Sequence, residues 1–264
     1  MDQLTHSDLL QVEGISRDLA SNIKNFDLDL GKAAEDTTNR MGAQYYSYWD
    51  SRYTYWDSRY TEYLKTIYDA PTGIFVLGDI PQMPCIGIVG MRNPSAYGKK
   101  MVKLLTADLI KAGFCILSGF ARGIDTLAHK TVQKMNGKTI AVLGNGVDVC
   151  YPGENRKLSE MLLDNGAFIS EYLTGSKPDA VNFPKRNRII SGLSNGVLII
   201  EAGKKSGAII TALNALDQNR EVFALPGQTD STKSIGTNRL IQQGAKLVMS
   251  IDDILSEFNE ESQP

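Results

Sequence analysis

The chain has 264 residues, 42% of them hydrophobic and 22% charged, the composition of a folded globular protein with one large or two ordinary domains. Lys and Arg number 28 against 30 Asp and Glu, a net charge of −2, so any surface for a polyanion has to come from local clustering of cations. Cys85, Cys115 and Cys150 lie far apart without C-x-x-C spacing, which argues against a disulfide framework or a zinc ribbon. The polar start MDQLTHSDLL, and apolar runs all well short of the ~20 residues a bilayer requires, predict a cytoplasmic protein without a membrane partner.

Residues 1–42 read as a small helical region. Leu9, Val12, Ile15, Leu19 and Ile23 recur at steps of three or four, with Gly14 as a break between two short helices. The segment is similar to a degenerate helix-hairpin-helix, with Ser16 where a second Gly is usual; plain helix packing is the alternative to phosphate binding at its turn. Residues 43–81 read as an aromatic-rich connecting region. Eight of the eleven tyrosines and both tryptophans fall between 45 and 68, and YWDSRYT occurs twice in tandem at 48–54 and 55–61. One heptad copy is too short for a repeat architecture, so a duplicated segment is the simple reading. An aromatic platform for base stacking, interleaved with Arg52 and Arg59, is the other.

From residue 82 to 256 short apolar runs alternate with helix-length segments: 85–90, 114–119, 139–144, 167–170, 196–202, 221–227 and 246–249. Most are apolar on both faces, which predicts a parallel sheet covered by helices, an α/β doubly wound Rossmann-like domain. Such sheets bind ligands outside the carboxyl ends of their strands. An acidic tail over 257–264 is expected to close the chain.

The phosphate fingerprints of nucleotide enzymes are missing. No G-x-G-x-x-G follows a strand, the GNG of 144–146 lacks a third Gly at Val149, and no P-loop occurs. His129 lies in an apolar helical pattern without a second ligand at metal spacing, so a packed or capping histidine is the reading, and no catalytic residue, metal or cofactor is expected. Five strand-end loops instead combine Gly, small hydroxyl residues and cations: 90–100, 118–129, 144–158, 182–194 and 201–212. From 91 to 138 nine Lys or Arg stand against Asp108 and Asp125, and from 176 to 205 six stand against Asp179 and Glu201. Helix starts and cations converging at strand ends suit an anion.

The segments VGMRNPSAYG, LSGFARGIDTLAH, AVLGNGVDVCYP, FPKRNRIISGLS, EAGKKSGAIITALNAL, ALPG and GTNRLIQQGAKLV closely resemble the bacterial DNA-processing protein A (DprA or Smf) family, in family order from about 86 to 250. The resemblance implies a non-enzymatic, sequence-tolerant single-stranded-DNA binder that loads the RecA recombinase, in natural transformation or recombination. It also implies a homodimer, with single-strand-binding protein as a further partner. Carried onto this chain, it points to Arg92, Ser118, Gly119, Phe120, Arg122, Phe183, Lys185, Arg186, Asn187, Arg188, Ser206 and Gly207 as DNA contacts, with Phe120 or Phe183 stacking a base. It places the dimer or partner surface at Leu240, Ile241 and Leu247. Met91 departs from the family's usual small hydroxyl residue, the heptad duplication adds seven residues, and the winged-helix domain of many members is not expected after Pro264. The enzyme alternative, a nucleotide or phosphoribosyl hydrolase of the lysine-decarboxylase-like family, would require P-G-G-x-G-T-x-x-E, which EAGKKSGAIIT echoes only loosely.

Overall fold

The computed structural model describes residues 5–12, 15–25, 28–48 and 64–259. Gly14, most of the duplicated heptads with Arg52 and Arg59, and the last residues of the acidic tail lie outside them. At the N-terminal end, α1 (His6–Leu10) and α2 (Arg17–Lys24) are short, and Ser16 caps α2 by accepting from the Leu19 amide at 3.1 Å. Helix α3 (Leu28–Arg40) leads into β1 (Gln44–Ser47).

All seven apolar runs form strands: β3 (Cys85–Val89), β4 (Cys115–Ser118), β5 (Thr139–Val142), β6 (Gly166–Ser170), β7 (Gly196–Ile199), β8 (Glu221–Ala224) and β9 (Lys246–Leu247). They pair in parallel in the order β6-β5-β4-β3-β7-β8-β9. The segment expected to connect two regions is instead part of this sheet. Strand β2 (Gly73–Gly78) pairs antiparallel with β6, Phe75 opposite Ser170, and β1 pairs antiparallel with β2, Tyr45 opposite Phe75, giving nine strands. The boundary expected near residue 82 therefore falls inside one sheet.

Seven helices and one short turn connect or follow the parallel strands: α4 (Ala96–Lys111), α5 (Ile124–Lys134), a 3-10 turn (Gly153–Asn155) with α6 (Arg156–Leu162), α7 (Asn182–Gly192), α8 (Gly207–Asp217), α9 (Ile235–Gln242) and α10 (Asp252–Asn259). Alternate strand residues feed two layers of core. Val89, Leu117, Val142 and Val197 face Ile189, Ile190 and Leu193 of α7 and Ala208, Ala212 and Ala215 of α8. Ile86, Ile88, Ile116 and Leu198 face Val102, Leu105 and Leu109 of α4 and Ile124, Ala128 and Val132 of α5. The expected acidic tail begins inside α10, where Glu257 pairs with Lys246 and Phe258 stacks near Phe114 and Phe223.

From β3 the chain steps through β4 and β5 to β6, then crosses back through α7 to β7 on the other side of β3. The loops leaving β3 and β7 diverge, and a crevice opens between them at the carboxyl ends of the strands. Among the described residues, no helix is long and apolar enough to cross a membrane.

Candidate nucleic-acid interface

The crevice is a cleft of about 480 Å³. One wall is Gly90, Met91 and Arg92 after β3; the opposite wall is Gly203, Lys205, Ser206 and Gly207 at the start of α8; Phe183, Pro184, Arg186 and Asn187 of α7 close a third side. Arg92 is exposed and its guanidinium lies 5.6 Å over the Phe183 ring, within cation–π range. Phe183 is half-buried, with Tyr151 at 5.7 Å between ring centroids and tilted 31°. The ring therefore belongs to the lining rather than to the core.

Three of the five loops that combine Gly, small hydroxyl residues and cations differ sharply. At the start of α4 a protein carboxylate already sits in the anion position: Glu201, buried, accepts from the Ser95 amide at 2.8 Å and from its hydroxyl, while Ser95 Oγ accepts from the Gly98 amide at 3.0 Å. Negative charge at this end of a helix is favourable, and it leaves the first turn satisfied. After β4, the buried Asp125 carboxylate accepts from the amides of Gly119 and Ala121. The start of α8 is different. Ser206 accepts from the Ala208 amide at 3.3 Å, Asn187 Nδ2 bonds the Gly207 carbonyl at 3.2 Å, and exposed Gly207 has open space above its Cα.

Several expected contacts lie inside. Ser118 is fully buried and its hydroxyl donates to the Ile88 carbonyl at 2.6 Å, tying β4 to β3. Phe120 is 1% exposed, which corrects its reading as a stacking platform. Its backbone adopts φ 58°, a conformation costing on the order of 1–3 kcal/mol for a bulky residue, and this turns the ring inward. There it meets Phe168 edge-on at 5.2 Å and His129 at 5.5 Å, and Asn155 Nδ2 holds its carbonyl at 3.2 Å.

Arg186 is also corrected. It is 3% exposed and donates to the carbonyls of Gly119, at 2.7 Å, and Val142. A Cβ on Gly119 would crowd the guanidinium and push it off these carbonyls. Burial brings the Arg186 pKa down to about 10, so it stays charged at neutral pH. Burial pushes the Asp125 carboxyl up, against the field of Arg186 and the two amides. Burial, then Arg186, drive His129 down to about 3. Because the Thr139 hydroxyl donates to the Ile116 carbonyl at 2.7 Å, the 2.9 Å contact with His129 Nδ1 requires the proton on Nδ1. His129 is the packed histidine its helical pattern suggested.

Two more cations are committed elsewhere. Arg188 makes a two-pronged pair with Glu171, at 3.0 and 2.7 Å, and reaches the Asp69 carboxylate at 2.9 Å, clamping α7 to the far end of the sheet. Exposed Arg122 is held by Glu154 at 3.0 and 3.1 Å, which raises its pKa. At the expected partner surface, Leu240 is 3% exposed and part of the core, Ile241 packs against it, and only Leu247 is exposed.

The structure thus gathers Arg92, Phe183, Asn187, Ser206 and Gly207 around one cleft, with Lys185 exposed beside it on α7. It adds Lys205, which the sequence reading passed over although it directly precedes Ser206. Asp125, Glu201 and Tyr151 were not singled out either. The signal for Arg186 is its phase: Arg186, Ile189, Ile190 and Leu193 form the buried stripe of α7.

Residues 51–259 match the family described as DNA recombination-mediator protein A. The DNA processing protein DprA of Bacillus subtilis (strain 168) is 45% identical over 201 residues, covering 75% of this chain and 68% of that protein. Protein Smf of Escherichia coli (strain K12) is 46% identical over 190 residues, and the chain spans only 51% of its length. Among solved structures, DNA processing protein A from Streptococcus pneumoniae superposes with a TM-score of 0.83 at 36% identity, over 97% of this chain and 87% of that one. DNA processing protein A from Helicobacter pylori, whose structure was described for its single-stranded-DNA binding mode, superposes with a TM-score of 0.69 at 29% identity over 76% and 94%. The chain belongs to the DNA recombination-mediator protein A family.

Proposed function

We propose that this protein binds single-stranded DNA without sequence preference in the cleft between the β3 and β7 loops, and hands it to RecA in transformation or recombination. The observation that carries the reading is the convergence of exposed Arg92, Lys185 and Lys205 and the open start of α8 around the half-buried Phe183 ring. Cations on a groove with an aromatic face are what a sequence-tolerant single-strand site needs, because every base has a π-face. The single-strand binding mode described for the Helicobacter pylori relative supports the same ligand. A base reaching Phe183 takes the place of the Arg92 guanidinium, which then turns to a phosphate. The role is non-catalytic and cytoplasmic: Asp125, the carboxylate in the cleft lining, is committed to two backbone amides.

The protein acts as a homodimer joined near Leu247, the exposed member of the three residues named for that surface, with RecA and single-strand-binding protein as partners. Anisotropy of fluorescent oligo-dT and of a duplex, titrated at several salt concentrations, tests the binding. Tight, salt-dependent binding to the single strand over the duplex, followed by faster RecA filament formation on coated DNA, supports the reading; no single-strand binding at low salt overturns it.

A further inference from the structure

The cation excess between 91 and 138 is not used up by the cleft. Arg122 pairs with Glu154 and Lys111 with Asp108, and Arg92 faces Phe183. Six lysines remain, and three of them, Lys99, Lys100 and Lys103, stand exposed together on the first two turns of α4, with no ion pair among the described residues.

Their spacing carries a small cost for the helix itself. The first turn of α4 has no acidic residue of its own, and its negative charge is the buried Glu201 carboxylate bonded to Ser95. Lys99 with Lys103, and Lys100 with Lys103, are also like-charge neighbours on the helix surface, each destabilising by a few tenths of a kcal/mol, about 0.2–0.5.

The helix that carries them starts beside the cleft, four residues after Arg92 of its lining. Ser95, the cap of α4, is bonded to Glu201, just before the Gly203–Gly207 wall. Lys233 donates to the Asn93 carbonyl at 2.9 Å, one residue from Arg92, adding a further cation at the join. Tyr97, 43% exposed, anchors its hydroxyl on the Pro226 carbonyl at 3.0 Å and holds the first turn of α4 against the next strand-end loop.

We propose that Lys99, Lys100 and Lys103 form a second phosphate track, along which single-stranded DNA leaving the cleft runs over the first two turns of α4. The proposal rests on the cleft reading above and extends its footprint. A polyanion relieves the mutual repulsion of the three ammonium groups, and its release of counterions makes the added contacts salt-dependent.

The test compares the full chain with the triple variant K99Q/K100Q/K103Q, using oligo-dT of about 4 and about 16 nucleotides, the span of single-strand site sizes. Gln keeps helix propensity close to that of Lys, so the melting temperature is expected to hold or rise. Binding of the short oligonucleotide should be unchanged, while the long one should bind about tenfold more weakly, with the salt slope reduced by roughly 2 for three lost contacts. A variant that binds the long oligonucleotide with the original affinity and slope, or that weakens both lengths alike, overturns the track and leaves the cleft standing. A parent protein that binds neither oligonucleotide removes the cleft reading, and the track falls with it.

Discussion

The turn after β4 and the loop after β7 are both glycine-rich and both flanked by cations, yet they do opposite things. In the first, Gly119 and Ala121 give their amides to Asp125, Phe120 turns into the core, and Arg186 fills the space over Gly119. In the second, Ser206 caps α8, Gly207 stays open, and Lys205 faces the cleft. The lesson is that an anion-binding sequence can be satisfied by the protein's own carboxylate. In the proposed function the closed turn is the floor of the cleft, and the open loop with Arg92 is its working surface.

Breaking the floor should have the greatest consequence. Arg186→Ala removes the donor to two buried carbonyls and leaves Asp125 without its neighbouring cation, which should cost about 3–5 kcal/mol, the range for breaking a buried charge arrangement. Urea unfolding would show this as a lower midpoint at unchanged slope. His129 gives the floor a pH signature. The unfolded chain binds a proton on this imidazole below its ordinary 6.5, while the folded protein resists until about 3, so stability is lost as pH falls through that window. The loss is up to about 1.4 kcal/mol per pH unit, giving about 2 kcal/mol at pH 5, and His129→Asn should flatten that part of the profile.

On the working surface, Phe183→Ala should leave the fold in place and weaken single-strand binding by about 1–3 kcal/mol, the value of one base stacked on an aromatic ring. An unchanged affinity in a salt titration would place the bases elsewhere. The smallest change should come from Glu154→Gln, which releases exposed Arg122 from its carboxylate. If the freed guanidinium reaches a phosphate, affinity rises modestly and the salt slope steepens by about 0.7. These two variants separate an aromatic contribution from a purely electrostatic one.

Strands β3 to β7 were legible because each is buried on both faces and therefore largely apolar, as in Cys85–Val89 and Gly196–Ile199, while β8 and the exposed edge strand β9 carry a weaker form of the same signal. Strand β2 is just as apolar, but it joins the sheet at β6 rather than beside its chain neighbour β3, and sheet position is not a local property of sequence. The candidate site was legible as a set of loops and only partly as a set of residues. Composition identifies the cations of FPKRNRII, but which of them face inward depends on helix phase, and Arg186 shares the stripe of Ile189, Ile190 and Leu193 while Lys185 does not. Long-range pairing hides the rest: Glu171 and Asp69 claim Arg188 from distant positions in the chain, and nothing beside Arg188 in sequence marks them as partners.

The central claim is that outward cations at the β3 and β7 loops hold single-stranded DNA. The most direct measurement is the anisotropy of labelled oligo-dT with the double variant Arg92→Glu, Lys205→Glu, alongside its thermal melt. We predict an unchanged melt, since neither residue is buried, and loss of more than about tenfold in affinity with a salt slope lowered by at least about 1.4 for two phosphate contacts. A folded double variant that binds with the original affinity and slope would contradict the account and move the DNA away from this cleft.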